Sequence, residues 1–139
     1  MKDVKKTTIE TTINYSIEKV WEFFTLPKHI TQWNFAADSW HSPKAINDLT
    51  VGGKFNYRME AKDGSFGFDF EGIYDTIKIN ELIEYTLGDG RKVSVEFAGN
   101  GKETKVIESF EPENENPIEL QKGGWQAILD NFKKHVETN

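Results

Sequence analysis

Glu108 is the main candidate for a functional carboxylate in this sequence. In the segment Thr104–Phe110, the apolar residues Val106 and Phe110 flank it at a spacing of two. Side chains of a strand alternate between the faces of a sheet, so Glu108 is predicted on the apolar face, where a carboxylate needs a partner, water or a raised pKa. Two interpretations stay open: a polar anchor for a ligand in a cavity, or a β-bulge or rim position that reaches water.

Asp38 and His41 are the other acid–base candidates. Together they would supply half of the ligands of a metal site. The remaining histidines, His29 and His135, have no ligand-like spacing to them, so no metal is predicted. The sequence has no Gly-x-Ser-x-Gly elbow, P-loop, His-Glu-x-x-His motif or dinucleotide fingerprint. We therefore assign no catalytic residue and expect no cofactor.

Composition restricts the partners further. Seventeen basic residues against 23 acidic ones give a net charge of −6 with no basic stripe, which argues against nucleic-acid binding. The longest apolar runs are three residues, which predicts no membrane span, and the start of the chain has no signal-peptide core. Cysteine is absent, which excludes disulfides and thiol catalysis. We expect one cytoplasmic domain over residues 1–139.

The first third of the chain predicts one strand and two short helices. β-Branched residues at 3–13 indicate the strand, Asn14 or Ser16 offers an N-cap, and the first helix ends before Pro27. Pro27 then begins a second short helix that carries Ile30 and Trp33. The irregular residues 34–48 are predicted as a long loop.

From residue 55 the hydrophobic period is two, and it predicts five hairpin-linked antiparallel strands. Their helix-facing side chains are predicted to be Phe55, Tyr57, Met59, Phe66, Phe68, Phe70, Tyr74, Ile83, Tyr85, Val95 and Phe97. A helical stripe follows over residues 118–136, formed by Trp125, Ile128, Leu129, Phe132 and Val136. A helix over a one-sided sheet makes a two-layer α+β fold. Gly123 and Gly124 inside that helix indicate a close backbone approach, a kink or space for a ligand, and Gly72 indicates a bend in its strand.

A set of short segments, in order along nearly the whole chain, carries a family resemblance. The segments are Lys19-Val20-Trp21-Glu22, Thr25-Leu26-Pro27, Trp33, Trp40, residues 48–55, Gly72-Ile73-Tyr74, residues 83–86, Glu103-Thr104 and Gly123-Gly124-Trp125 with Ile128-Leu129. The set resembles the family named after the C-terminal domain of the activator of the heat-shock protein 90 ATPase. That family is part of the START-like, or Bet v-like, superfamily (SRPBCC) of helix-grip folds.

The resemblance implies a curved antiparallel sheet wrapped around the long C-terminal helix, with two short helices after the first strand and a hydrophobic cavity beneath them. It implies binding of a small apolar or aromatic molecule, such as a lipid or polyketide. The alternatives are a co-chaperone-like protein-interaction domain, or a cyclase or hydrolase that uses Glu108, Asp38 or His41. The expected ligand-binding residues are Trp33, Trp40, Phe55, Tyr57, Phe68, Phe70, Tyr85, Glu108, Trp125 and Leu129.

Overall fold

The β-branched segment near the start forms strand β1 (Thr7–Ile13), which buries Ile9 and Ile13. The computed structural model describes residues 6–139, so residues 3–5 of the predicted strand lie outside the described residues. Of the two N-cap candidates, Ser16 takes the position, with extended backbone and helix α1 (Ile17–Thr25) directly after it.

The predicted break at Pro27 is confirmed. Helix α2 (Pro27–Trp33) begins there, because a first-turn proline lacks only an N–H that has no helical partner anyway. Leu26 joins the two helices with extended backbone, the conformation that a following proline favours. The side chains of Val20, Ile30 and Trp33 are buried against the rest of the core.

The prediction of a loop over residues 34–48 was wrong in its second part, because Trp40–Asn47 is strand β2. Pro43 and weak alternation hid this strand. The register of β2 against its neighbour shifts between His41 and Lys44, so Pro43 lies within a bulge. The strand is also at the end of the sheet, where a residue without an N–H is tolerated.

The remaining strands follow the predicted meander. They are β3 (Lys54–Ala61), β4 (Gly67–Lys78), β5 (Leu82–Leu87), β6 (Lys92–Gly99) and β7 (Thr104–Phe110), and the long helix is α3 (Ile118–Glu137). Within the described residues, the strands form one antiparallel sheet in the order β1-β7-β6-β5-β4-β3-β2. The sheet curls around α3, so the predicted α+β helix-grip fold is confirmed. No helix in residues 6–139 has the length and apolar character needed to span a membrane.

Two irregularities in β4 bear on this curl. The register between β4 and β5 shifts between Tyr74 and Thr76, which marks a bulge. At Gly72, a Cβ atom would lie 2.8 Å from the Phe55 ring and 2.7 Å from the Thr86 carbonyl oxygen. Glycine at this position therefore lets the Phe55 ring pack directly over the backbone of β4.

Candidate functional site

A cavity of about 380 Å³ lies between the sheet and helix α3. Its walls come from strands β3, β4, β5 and β7, from the α1–α2 segment, from α3 and from the loop that precedes α3. Eight of the ten residues expected from the sequence border it: Trp33, Phe55, Tyr57, Phe68, Phe70, Tyr85, Glu108 and Trp125.

The aromatic wall is held by contacts among its own rings. The Phe55 ring centroid lies 4.9 Å from those of Tyr57 and Tyr85, and 5.3 Å from that of Tyr74. On the helix side, Trp125 stacks on Phe110 with centroids 4.4 Å apart and an interplanar angle of 6°. Since each ring restrains the next, this wall is formed before any ligand enters.

The α1–α2 segment is fastened over the cavity by backbone and side-chain hydrogen bonds. The Trp33 indole N–H donates to the Phe23 carbonyl oxygen at 2.9 Å, and Asn131 of α3 donates to the Trp33 carbonyl oxygen at 2.9 Å. Trp33 also packs edge-on against Phe132, with centroids 4.8 Å apart. Trp33 therefore joins the two short helices to α3 and closes part of the cavity at the same time.

One polar group of hydroxyls and amides in the wall is fully connected. The Tyr74 hydroxyl donates to Asn47 Oδ1 at 2.6 Å and lies 3.4 Å from the Tyr57 hydroxyl. Asn47 in turn donates from Nδ2 to the Thr25 carbonyl oxygen at 2.7 Å. Burial raises the pKa of Tyr74 and raises that of Tyr57 well above its ordinary value, so both hydroxyls stay protonated at neutral pH. This group ties strands β2, β3 and β4 to helix α1.

Glu108 faces the cavity, as the period of two predicts. Its neighbours β1 and β6 pair with β7 without a shift, opposite Ile9 and Val95, so the alternative with a bulge is wrong. The side chain is 8% exposed, and no hydrogen bond or ion pair among the described residues reaches its carboxyl group. Burial raises the pKa of this carboxyl to about 8.

Tyr85 is a cavity-lining polar group whose pKa responds to Glu108. Burial raises the pKa of Tyr85 well above its ordinary value, and the negative charge of Glu108 raises it further. The Tyr85 hydroxyl, like the Glu108 carboxyl, has no hydrogen-bond partner in the described part of the chain. These two groups therefore present unused hydrogen-bonding capacity to the cavity.

The charged groups elsewhere in the lining, Arg91 and Glu113, have partners of their own. Arg91 donates from Nε to Asp89 at 2.7 Å. Glu113 accepts the Asn116 backbone N–H at 2.7 Å. Gln121 donates to the Glu113 and Asn116 carbonyl oxygens at 3.1 and 2.8 Å, which ties the loop to the first turns of α3. The sequence patterns missed Arg91 and Glu113 because both lie in loops, which have no period to assign a face.

Two expected site residues lie elsewhere. Leu129 is 1% exposed and belongs to the packed core under α3, next to the cavity-lining Ile128. Trp40 lies in β2 beside Phe66 and Phe68, with ring centroids 5.9 and 6.0 Å away. Phe66, expected to face the helix, precedes β4 and is 64% exposed.

Asp38 and His41 do not form a site together. His41 lies 3.7 Å from Glu60 across the β2–β3 pair, and Asp38 is exposed in the preceding turn. Within residues 6–139, no group of three histidine or acidic side chains is placed to hold a metal ion.

The structure tests one of the three predicted interpretations of the glycine pair in α3, a close backbone approach. Helix α3 continues unbroken through both glycines, and a Cβ atom at Gly123 or Gly124 would meet nothing within 4 Å. A close backbone approach is therefore wrong at both positions. Gly124 borders the cavity and Gly123 is exposed, so the absent side chain at Gly124 leaves room in the cavity.

Comparison with known proteins agrees with this architecture. The family model described as Activator of Hsp90 ATPase homolog 1-like protein matches residues 14–137. The chain belongs to this family. Proteins with its START-like fold commonly bind hydrophobic ligands or act as co-chaperone activators.

Solved structures give the same result. The AHSA1-like protein of Aeromonas hydrophila is 42% identical, with 96% of this chain and 93% of that one covered and a TM-score of 0.91. A protein of Cytophaga hutchinsonii is 54% identical, with the same coverage and a TM-score of 0.83. A protein of Nitrosomonas europaea, 13% identical with 99% and 97% covered, shares the fold at a TM-score of 0.82. A comparison with curated proteins gave no match.

Proposed function

We propose that this protein binds one small, largely apolar molecule of the lipid, polyketide or aromatic class in the cavity between the sheet and α3. The observation that carries the proposal is the cavity of about 380 Å³ with its interlocked aromatic wall. Protein interiors otherwise pack with few voids larger than a water molecule, and ligand sites begin at about 300 Å³.

Gly124 supports the proposal from the side of the helix. A glycine inside a helix costs about 1 kcal/mol relative to alanine, and no neighbouring atom of the described structure requires a glycine here. The helix therefore carries a local cost whose structural effect is to keep the cavity open. That is the arrangement expected where volume serves a ligand.

Native mass spectrometry of the purified protein, followed by extraction, is the direct way to identify a bound molecule. A co-purifying small molecule released on unfolding is the expected result. The substitution Gly124→Leu then tests where it binds, because Gly124 borders the cavity and a Cβ atom there meets nothing within 4 Å. Gly123→Leu is the matched control: it makes the same chemical change one residue away, on the exposed side of α3.

Binding of the neutral probe 1-naphthalenemethanol is measured by ¹H–¹⁵N chemical-shift titration. We expect saturable shifts at the Trp125 and Trp33 indole signals in the wild type and in Gly123→Leu. In Gly124→Leu we expect these shifts to be lost, while the spectrum keeps its folded dispersion. Equal binding by both variants would contradict the proposed site, and absence of saturable binding in the wild type would contradict the proposed function.

A further inference from the structure

The Glu108 carboxyl and the Tyr85 hydroxyl reach the cavity without hydrogen-bond partners in the described part of the chain. Glu108 is more than nine-tenths buried, so its carboxyl keeps less hydration than it would at a surface. A buried polar group without a partner is costly, which makes a ligand group that satisfies it correspondingly favourable. The ligand is therefore expected to bring a hydrogen-bonding group to this end of the cavity.

The side chains around Glu108 do not provide a partner for its carboxyl group. Across the neighbouring strands it faces the apolar side chains of Ile9 and Val95. The cavity-facing residues of α3 are uncharged: Gln121, Gly124, Trp125 and Ile128. Arg91 is the one cation among the described lining residues; its Nε donates to Asp89, and its positive charge acts to lower the pKa of Tyr85 but not that of Glu108. Burial alone shifts the pKa of Glu108, so a positive charge that stabilises its ionised form would come from the ligand.

The rings of the wall favour the same kind of group. Phe70 and Trp125 meet edge to face with centroids 6.0 Å apart, and Tyr85 meets Phe70 at 6.5 Å. Aromatic faces attract ammonium groups, most strongly where water is excluded. An alcohol or amide would satisfy the carboxyl with one hydrogen bond. An ammonium group adds its charge, its attraction to the rings and a second donor for Tyr85.

We propose that the ligand is a cationic amine on an aromatic or otherwise apolar body, with its ammonium group bound to Glu108 and Tyr85 among the rings of the cavity. This inference rests on the proposed function, since it names the chemical class of the molecule that fills the same cavity. The protein's net charge of −6 agrees with a cationic ligand by favouring its approach.

Binding of such an amine is linked to a proton. With a carboxyl pKa of about 8, Glu108 is mostly protonated at neutral pH. An ammonium group that pairs with the carboxylate expels this proton to solvent. Amine affinity therefore rises with pH up to about 8 and then levels off, as long as the amine itself stays protonated.

The experiment compares 1-naphthalenemethylamine with 1-naphthalenemethanol by calorimetric titration of the full chain at about pH 8, near the Glu108 pKa. The two probes share their apolar body and differ in the amine and hydroxyl groups. We expect the wild type to bind the amine about tenfold more tightly or better, as a charge-assisted contact implies. Glu108→Gln should lower this preference to less than about twofold, because the amide keeps the shape and removes the charge.

Glu96→Gln is the matched control, since it makes the same change on the exposed side of the adjacent strand β6, opposite Ile107. It should keep the wild-type preference. Titrations of the wild type near neutral pH in buffers of different ionisation enthalpy supply a measurement that needs no variant. Close to one proton released per bound amine, and none per bound alcohol, is expected.

Equal affinity of the wild type for both probes, a preference that persists in Glu108→Gln, or amine binding without proton release would overturn the amine assignment. In each of these cases the alcohol still binds, and the proposed function stands. If neither probe binds, the proposed function itself fails together with this inference. The Gly124→Leu comparison above reports on the cavity alone and separates the two failures.

Discussion

The two halves of helix α3 carry one continuous hydrophobic stripe, yet they meet different surroundings. In the first half, Gly124, Trp125 and Ile128 border the cavity. In the second half, Leu129, Phe132 and Val136 are at most 1% exposed. The same helical period thus yields a cavity wall at one end and a close-packed core at the other.

The difference arises from what covers each half. The second half lies under the α1–α2 segment. There the Asn131 side chain donates to the Trp33 carbonyl oxygen, and His135 Nε2 lies 3.1 Å from His29 Nδ1. The first half has glycine at 123 and 124 and faces the side of the sheet that carries Glu108. A helix can therefore anchor a fold with one half and frame a site with the other.

The largest expected effect concerns Glu108 in the cavity half. Its folded-state pKa of about 8 exceeds the ordinary 4.5, so between these pH values the folded chain keeps a proton that the unfolded chain loses. Stability therefore falls as pH rises through this window, by up to about 5 kcal/mol at full ionisation. Urea unfolding should show Glu108→Gln to be more stable than the wild type near pH 9 and nearly equal to it near pH 4.5.

The exposed Glu96→Gln variant controls for the loss of one negative charge, and its pH dependence should follow the wild type. If the stability of Glu108→Gln also followed that of the wild type at every pH, Glu108 would be solvated. A buried carboxyl would then no longer distinguish the cavity half from the packed half.

A second prediction compares neighbouring residues on the two sides of the boundary. Leu129→Ala should lower the free energy of unfolding by about 2–5 kcal/mol, because the packed half cannot close the space that it leaves. Ile128→Ala should cost about 1 kcal/mol, since this half-buried side chain borders space that already exists. Chemical denaturation of both variants measures the difference, and equal losses would show that the two halves are packed alike.

The smallest expected effect concerns the histidine pair at the packed end. Burial lowers the pKa of His29, helped by the charge of Lys28, and burial with the nearby His29 lowers the pKa of His135. Since the unfolded chain takes up these protons first, the pair's contribution to stability is lost as pH falls below the ordinary value of 6.5. The effect should be visible as a lower urea midpoint at mildly acidic pH.

That measurement should be made in the Glu108→Gln variant. In the wild type, ionisation of Glu108 changes the stability with pH in the opposite direction. The double substitution His29→Asn and His135→Gln should reduce the loss of stability on acidification. An unchanged loss would assign it to other groups and leave the contact between α2 and α3 without a role in the contrast.

Periodicity was sufficient to predict most of the framework. The switch from a period of two to a helical stripe predicted β3 to β7 and α3. The alternation of side chains along β7 was enough to predict that Glu108 faces the cavity. Strand β2 was not predicted because its bulge and Pro43 interrupt the alternation. Neither Leu129 nor Trp125 could be assigned to core or cavity from the pattern, because both roles select large apolar side chains.

The pairing of β1 with β7 has a consequence for how the fold assembles. Strands β2 to β7 join through successive hairpins, whereas Thr7 pairs with Phe110 across most of the chain. Contacts of such separation form slowly, because a long loop must close before they stabilise anything. Until β1 arrives, the outer edge of β7 offers unpaired backbone N–H and C=O groups beside Glu108. The risk that folding chains aggregate through this edge therefore depends on how quickly β1 pairs with β7.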